Sequence, residues 1–172
     1  MEAIAVEEEY VAALEACDDA AIDALKRELA GMQVDAAQVL RMRVSEMAMH
    51  GWDVAVALDD KATLADVAVP HVFDLLWLTL RWATQPYDGE LRVRVRTTDP
   101  DGDHVLEIVS GETRLLDSDT GAGLSPVDGE LQLPAEALLR LFYGRLDARH
   151  TPPHQASDDG LLDRLRDLFR GF

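Results

Sequence analysis

Cysteine is nearly missing from this chain of 172 residues, and Cys17 is its only representative. A single cysteine cannot form a disulfide within the chain, so a reducing cytoplasm is the expected setting. The amino-terminal segment is acidic at residues 7–9, whereas a signal peptide begins with basic residues. The sequence also lacks the run of about 18 uncharged apolar residues that a membrane-spanning helix requires. These absences predict a cytoplasmic protein that does not span a membrane.

Positive charge is also scarce, because 16 Lys and Arg are outnumbered by 33 Asp and Glu, which gives a net charge of −17. Nucleic acids and anionic membranes bind proteins through faces rich in Lys and Arg, so we exclude both as partners. Aromatic residues make up only 6% of the chain, yet its hydrophobic content is 48%. This composition predicts an acidic globular protein with one or two compact units.

Segment 44–58 is apolar around almost its whole helical circumference. Its polar side chains are Ser45, Glu46, His50 and Asp53. Steps of four and three residues place the last three within about 60° of one another on a helix. A helix that is apolar on all sides is normally buried, and buried carboxylates need partners. We therefore expect this polar stripe to have a specific role.

Two explanations of the stripe compete. In the first, Glu46 and His50 are ligands of a divalent metal, and Asp53 orients the His50 imidazole without contacting the metal itself. In the second, they form an ion pair or hydrogen bond between residues four apart, which satisfies buried polar groups without any chemistry. The spacing alone does not decide between them, since a zinc site of this kind also needs a third ligand elsewhere in the fold.

Two segments carry a family resemblance. The run from residue 40 to 59, which contains Leu-Arg-Met-Arg-Val-Ser-Glu-Met-Ala-Met-His, resembles the last bundle helix of the mycothiol-dependent maleylpyruvate isomerase family. Residues 128–145, where a Leu-rich helix ends in Phe-Tyr-Gly-Arg, resemble that family's carboxy-terminal domain, as does the helix that follows at 161–166. The matches lie in the family's order and together span about residues 35 to 170.

The resemblance implies an α+β protein in two parts. Residues 1–60 would form part of a helical bundle of the DinB type, and residues 61–172 an α+β domain similar to sterol carrier proteins. The family's zinc is held by two His and one Glu, and Glu46 and His50 match the Glu and the second His. Arg145 matches an arginine that faces the family's active cleft and would bind a substrate carboxylate. Alternatively, Arg145 simply follows a helix C-terminus, where a cation is favourable.

The chain departs from the family at the remaining zinc ligand. No histidine precedes His50, although the family's other His comes from an earlier helix. The chain could be a fragment, a shortened relative that has lost the full site, or a protein whose second copy supplies the ligand across an interface. The other histidines are expected at the surface rather than at a metal; they are His71, His104, His150 and His154.

Periodicity and turn residues predict the remaining elements. Helices are expected over residues 2–16, 19–31, 35–58, 71–83 and 135–143, and strands over 91–96, 104–109, 113–117 and 131–133. In the first strand, Arg92, Arg94 and Arg96 share one face. That face is either an anion-binding wall or, as we favour in so acidic a protein, an exposed surface paired with Glu107, Glu112 or Asp117.

Two functional hypotheses follow. The first is an enzyme or enzyme remnant of the mycothiol-dependent isomerase and S-transferase type, with zinc and mycothiol as cofactors. The second is a non-catalytic protein that binds a small ligand or associates with itself, and the missing third metal ligand favours it. In either case we expect a homodimer formed through the apolar surface of residues 35–58, since two neighbouring helices cannot cover a helix that is apolar all round.

Overall fold

The computed structural model describes residues 2–24, 26–29, 31–120 and 126–171. Two compact units are present, Met1–Met42 and Arg43–Phe172, and the boundary between them falls inside the long helix of the chain. The protein combines helices with two separate sheets, so the predicted α+β class is confirmed at this coarse level. None of the helices among the described residues has the length and apolar content needed to cross a bilayer.

The first unit is helical at its start and then forms a hairpin. Helices α1 (Glu2–Glu15) and α2 (Asp19–Ala24) come first, and Asp18 caps α2 by accepting a hydrogen bond from the Ala21 amide at 2.7 Å. The antiparallel strands β1 (Lys26–Leu29) and β2 (Met32–Asp35) follow.

The predicted helix over residues 19–31 is confirmed only for Asp19–Ala24. Residues 26–29 form a strand instead, so the prediction is wrong there. Residues 25 and 30 lie outside the described part of the chain. Gly31 has a φ of 79° and lies in the turn beside the Leu29–Met32 pair. A glycine with positive φ suits a tight hairpin turn as well as it suits a helix end, and only the β2 pairing distinguishes the two.

Helix α3 (Ala36–Val56) begins as its sequence predicts. The amide of Asp35 donates to Gln38 Oε1 at 2.9 Å, and the amide of Gln38 donates to Asp35 Oδ1 at 2.8 Å. This reciprocal capping satisfies two amides that a helix start would otherwise leave without partners. The helix ends at Val56, two residues before the expected limit at Leu58.

The second unit contains all the remaining elements. After a short 3-10 helix they run in this order: α4 (Val69–Phe73), α5 (Leu76–Ala83), β3 (Leu91–Thr98), β4 (Gly102–Val109), β5 (Glu112–Asp117), a second 3-10 helix (Ser118–Thr120), β6 (Gly129–Pro134), α6 (Ala135–Phe142), β7 (Gln155–Ala156) and α7 (Leu161–Leu168). The helix predicted over residues 71–83 is two helices, interrupted at Asp74 and Leu75.

Strands β3 to β7 form one sheet in the order β5-β4-β3-β6-β7, in which β3 and β6 are parallel and the other neighbours antiparallel. Val93, Val95 and Leu106 are fully buried on the face that packs against the helices. The opposite face carries the arginines of β3. Arg92 pairs with Glu107, Arg94 Nε donates to Asp103 at 2.9 Å, and Arg96 lies 3.0 Å from Glu130.

Those ion pairs support the surface interpretation of the β3 arginines, although their partners differ in part from the expected ones. Only Glu107 was foreseen, whereas Glu112 pairs with Arg114 and Asp117 with His104. Helix α6 follows β6 as predicted, and Gly144 ends it with a φ of 69°. A Cβ at Gly144 would lie 2.2 Å from the Gly171 amide nitrogen, so only glycine permits this close approach.

The second unit contains a buried ion pair. Arg140, only 2% exposed, donates from Nε and Nη2 to the two carboxylate oxygens of Glu136 at 2.7 and 2.8 Å. Its Nη1 donates to the His150 carbonyl at 2.9 Å, and its guanidinium carbon lies 5.0 Å from the Trp52 ring centroid. All three guanidinium nitrogens therefore have partners, as a buried arginine requires.

We predict that Arg140→Met lowers the free energy of unfolding by about 3–5 kcal/mol, because it leaves the Glu136 carboxylate buried without its partner. The double variant Glu136→Leu/Arg140→Met should recover much of that loss, since it removes both charges. Urea unfolding followed by circular dichroism measures both. Equal destabilisation by the single and double variants would contradict the assignment.

Candidate functional site

One face of α3 anchors the helix, and the adjacent face presents the predicted site. Ser45, Met49 and Trp52, at steps of four and three residues, are buried. Glu46, His50 and Asp53 each follow one of these buried residues, so they are rotated by about 100° around the helix axis. All three are exposed to solvent. The expectation that the stripe would be buried is wrong, because α3 packs through one side only.

The structure brings the four predicted site residues into one line. Glu46 Oε2 lies 3.3 Å from His50 Nε2, and His50 Nδ1 lies 3.1 Å from Asp53 Oδ2. Arg145 then donates to Asp53 with two nitrogens, Nε to Oδ1 at 2.8 Å and Nη2 to Oδ2 at 2.9 Å. Each residue of the series Glu46, His50, Asp53 and Arg145 therefore contacts the next.

Arg145 sets the electrostatics of this line. Its bidentate hydrogen bonds are the main reason why the pKa of Asp53 lies below the ordinary aspartate value, and they act against the effect of burial; the hydrogen bond to His50 contributes further. Asp53 is therefore held as a carboxylate between an arginine and an imidazole. Asp53 accepts from two of the five N–H groups of this guanidinium, and binding of a substrate carboxylate by Arg145 remains a prediction.

A buried cluster of hydroxyl groups supports the site and was not foreseen from the sequence. The Tyr143 hydroxyl lies 2.6 Å from Ser45 Oγ and 2.9 Å from Thr79 Oγ1, which connects α3, α5 and the end of α6. The Tyr143 carbonyl accepts a hydrogen bond from Arg145 Nη1 at 3.1 Å. The same residue therefore fixes α3 through its side chain and Arg145 through its backbone. Only Ser45, as a polar residue in an apolar run, gave a signal in the sequence.

The donor set fits part of a zinc site. In a tetrahedral complex with ligand distances of about 2.1 Å, neighbouring ligand atoms are about 3.4 Å apart. The 3.3 Å separation between Glu46 Oε2 and His50 Nε2 is close to that value. Histidines that bind metals usually donate their other ring N–H to a carboxylate, as His50 Nδ1 can do to Asp53. The same 3.3 Å also fits a loose ion pair, so the geometry is compatible with both explanations of the stripe.

The other histidines lie elsewhere. His104 contacts Asp117 and stacks on Phe73, His150 packs edge-on against Trp52, and His71 and His154 are exposed. Across residues 2–24, 26–29, 31–120 and 126–171, no group of three or more His, Cys, Asp or Glu side chains is placed to hold a metal ion. Among the described residues, the geometry therefore offers at most a two-ligand set, Glu46 and His50, to a metal ion.

A separate groove of about 1460 Å³ opens between α5 and the β4–β5 hairpin. Trp77 lines this groove and is 48% exposed. Leu80 and Ile108 contribute apolar surface, and Arg81 and Glu112 contribute charge. The residues of the Glu46–Arg145 line are not among those that line it.

No family model and no curated protein matches this chain. The resemblance to mycothiol-dependent maleylpyruvate isomerases therefore stays a prediction that rests on the residues quoted for it.

We predict that Arg145→Met reduces the loss of stability at acid pH. The folded-state pKa of Asp53 is lowered, so its contribution is complete above the unfolded-state value of about 3.9 and is lost as the pH falls through the folded-state pKa. Without Arg145, the free energy of unfolding should be lower at pH 6 and should fall less steeply below about pH 4.

Urea unfolding at a series of pH values tests this, with Arg170→Met as a control that removes the same charge from an exposed pair with Asp167. Parallel pH curves for the wild type and Arg145→Met would contradict the coupling.

Proposed function

We propose that this chain is a zinc-binding protein of the mycothiol-dependent isomerase and S-transferase type that is catalytically incomplete by itself. The observation that carries the proposal is the continuous line from Glu46 through His50 and Asp53 to Arg145. Two candidate ligands come first in this line, a carboxylate then contacts the imidazole, and a guanidinium contacts the carboxylate. Metal sites commonly have this order, in which outer residues orient the ligands through hydrogen bonds. A mixed sheet with helices on one face is also compatible with the expected sterol-carrier-like domain, whereas the β1–β2 hairpin departs from the expected helical part of a DinB-like bundle.

In this proposal each residue has a distinct task. Glu46 Oε2 and His50 Nε2 hold the ion, and Asp53 accepts the Nδ1 proton so that Nε2 presents its lone pair to the metal. Arg145 holds Asp53 in position, which makes it a positioning residue unless a substrate carboxylate takes the place of Asp53. The chemistry that zinc supplies is Lewis acidity, which favours the thiolate form of a bound thiol such as mycothiol.

The site is incomplete because two protein ligands do not define a catalytic zinc. Catalytic zinc sites keep three protein ligands and leave one position open. The third ligand must therefore come from outside the described residues, from another chain or from solvent.

The second candidate function is a non-catalytic protein that associates with itself or binds a small ligand. Two observations favour it. Met47 and Val54 of α3 are 54% and 66% exposed and lie on the same side of the helix, so they leave apolar surface available to a partner. The groove beside Trp77 also offers apolar surface to a ligand.

Zinc binding is the direct test of the proposed function. We predict that His50→Ala abolishes zinc uptake, because it leaves a single exposed carboxylate, whereas the control His71→Ala, which removes another exposed histidine, leaves uptake unchanged. Metal analysis after dialysis against zinc measures both. Equal zinc content in the wild type and His50→Ala would refute the assignment.

Activity is the second test. We predict that the purified chain, supplied with zinc, mycothiol and maleylpyruvate, shows little or no turnover, because two ligands do not fix an open coordination position. Product formation followed by absorbance is the measurement. Turnover typical of an enzyme, at roughly 1 per second or faster, would contradict the incomplete site and require a third ligand within the chain.

A further inference from the structure

An apolar stripe runs along α3 directly beside the Glu46–His50 pair. Met47, Gly51 and Val54 follow one another at steps of four and three residues, which places them within about 60° on the helix surface. A Cβ built on Gly51 would meet no atom within 4 Å, so a second backbone can approach the helix there. The stripe is thus an exposed apolar surface with a glycine at its middle.

The stripe is complementary to itself. If two α3 helices pack antiparallel about a twofold axis beside His50 and Gly51, Met47 of one copy lies over Val54 of the other, and each His50 faces the other Gly51. In such a pair, the edge of the stripe on one copy lies beside the same edge of the stripe on the other copy. His50 lies on that edge, with Glu46 one turn away on the same side.

Electrostatics opposes this arrangement unless a cation joins it. Each copy carries a net charge of −17, and the twofold brings Glu46 and Asp53 of both copies toward one another. The apolar stripe involves few side chains, whereas stable interfaces bury about 1,600 Å² in total. The contact by itself is therefore too small to hold two such acidic chains together.

We propose that two copies of the chain are joined by one zinc ion, which is held between antiparallel α3 helices by Glu46 and His50 of each copy. This inference rests on the proposed function, since it uses the same two ligands. Two imidazole nitrogens and two carboxylate oxygens complete a tetrahedron, which supplies the ligands that the described residues of one chain do not provide.

The arrangement has a chemical consequence. Four protein ligands leave no open position, which is the pattern of a structural zinc site rather than a catalytic one. The ion would then control association, since zinc binds the dimer more tightly than the monomer and so shifts the equilibrium toward the dimer.

Sedimentation velocity of the full chain at micromolar concentration, with zinc and with a chelator, tests the proposal, and metal analysis of the separated species gives the stoichiometry. We expect a monomer in chelator and a dimer with one zinc per two chains when zinc is present. His50→Ala should remain monomeric. Gly51→Gln should also remain monomeric, because it blocks the close approach, while open space at this position allows the variant to fold. His71→Ala should behave as the wild type.

The outcomes separate this inference from the proposed function. Zinc bound one per chain to a monomer would overturn the bridged dimer and leave the zinc-binding function standing. A dimer that persists unchanged in chelator, or that tolerates Gly51→Gln, would overturn the bridge as well. Failure of the wild-type chain to take up zinc at all would overturn both.

Discussion

The buried pair between Arg140 and Glu136 is the interaction on which the second unit depends. An arginine removed from water is tolerated only when its donors are satisfied, and here they are satisfied by groups from different parts of the chain. Glu136 lies on the same helix, the His150 carbonyl belongs to the segment after α6, and the Trp52 ring comes from α3. Trp52 in turn donates its indole N–H to the Ala62 carbonyl at 2.8 Å. One desolvated charge therefore fixes the position of α6 relative to two loops and the second half of α3.

The positions of the candidate site residues depend on that arrangement. Once α6 is placed, Tyr143 at its end reaches Ser45 and Thr79, and the turn at Gly144 aims Arg145 back toward α3. Arg145 then orients Asp53, and Asp53 orients His50. Glu46 and His50, at the exposed end of this series, depend on the residues behind them. A supporting shell of this kind is what separates a side chain that is merely near a ligand from one held in a productive geometry.

The sequence predicted the elements whose signals are local. The helix start at Asp35, the alternation in β3 and the glycine after α6 each act within a few residues, and the structure confirms the elements they begin or end. Elements that depend on distant partners were missed. The β1–β2 hairpin needs cross-strand pairing. Glu136 and Arg140, four residues apart, resemble an ordinary surface pair, and only the packing around Trp52 makes them a buried one. For the site, helical spacing placed Glu46, His50 and Asp53 together, but the bidentate contact of Arg145 with Asp53 spans distant parts of the chain and could not be read from spacing.

The environments of the three tryptophans give this protein an optical property. Trp52 is shielded and lies against the Arg140 guanidinium and the edge of His150, whereas Trp77 and Trp82 are 48% and 56% exposed. Indole emission shifts to longer wavelength in water, so the native spectrum combines one shielded fluorophore with two that already contact solvent. The change in emission on unfolding then comes mainly from Trp52. Intrinsic fluorescence of this chain is consequently a local probe of the region around the buried ion pair rather than a global average.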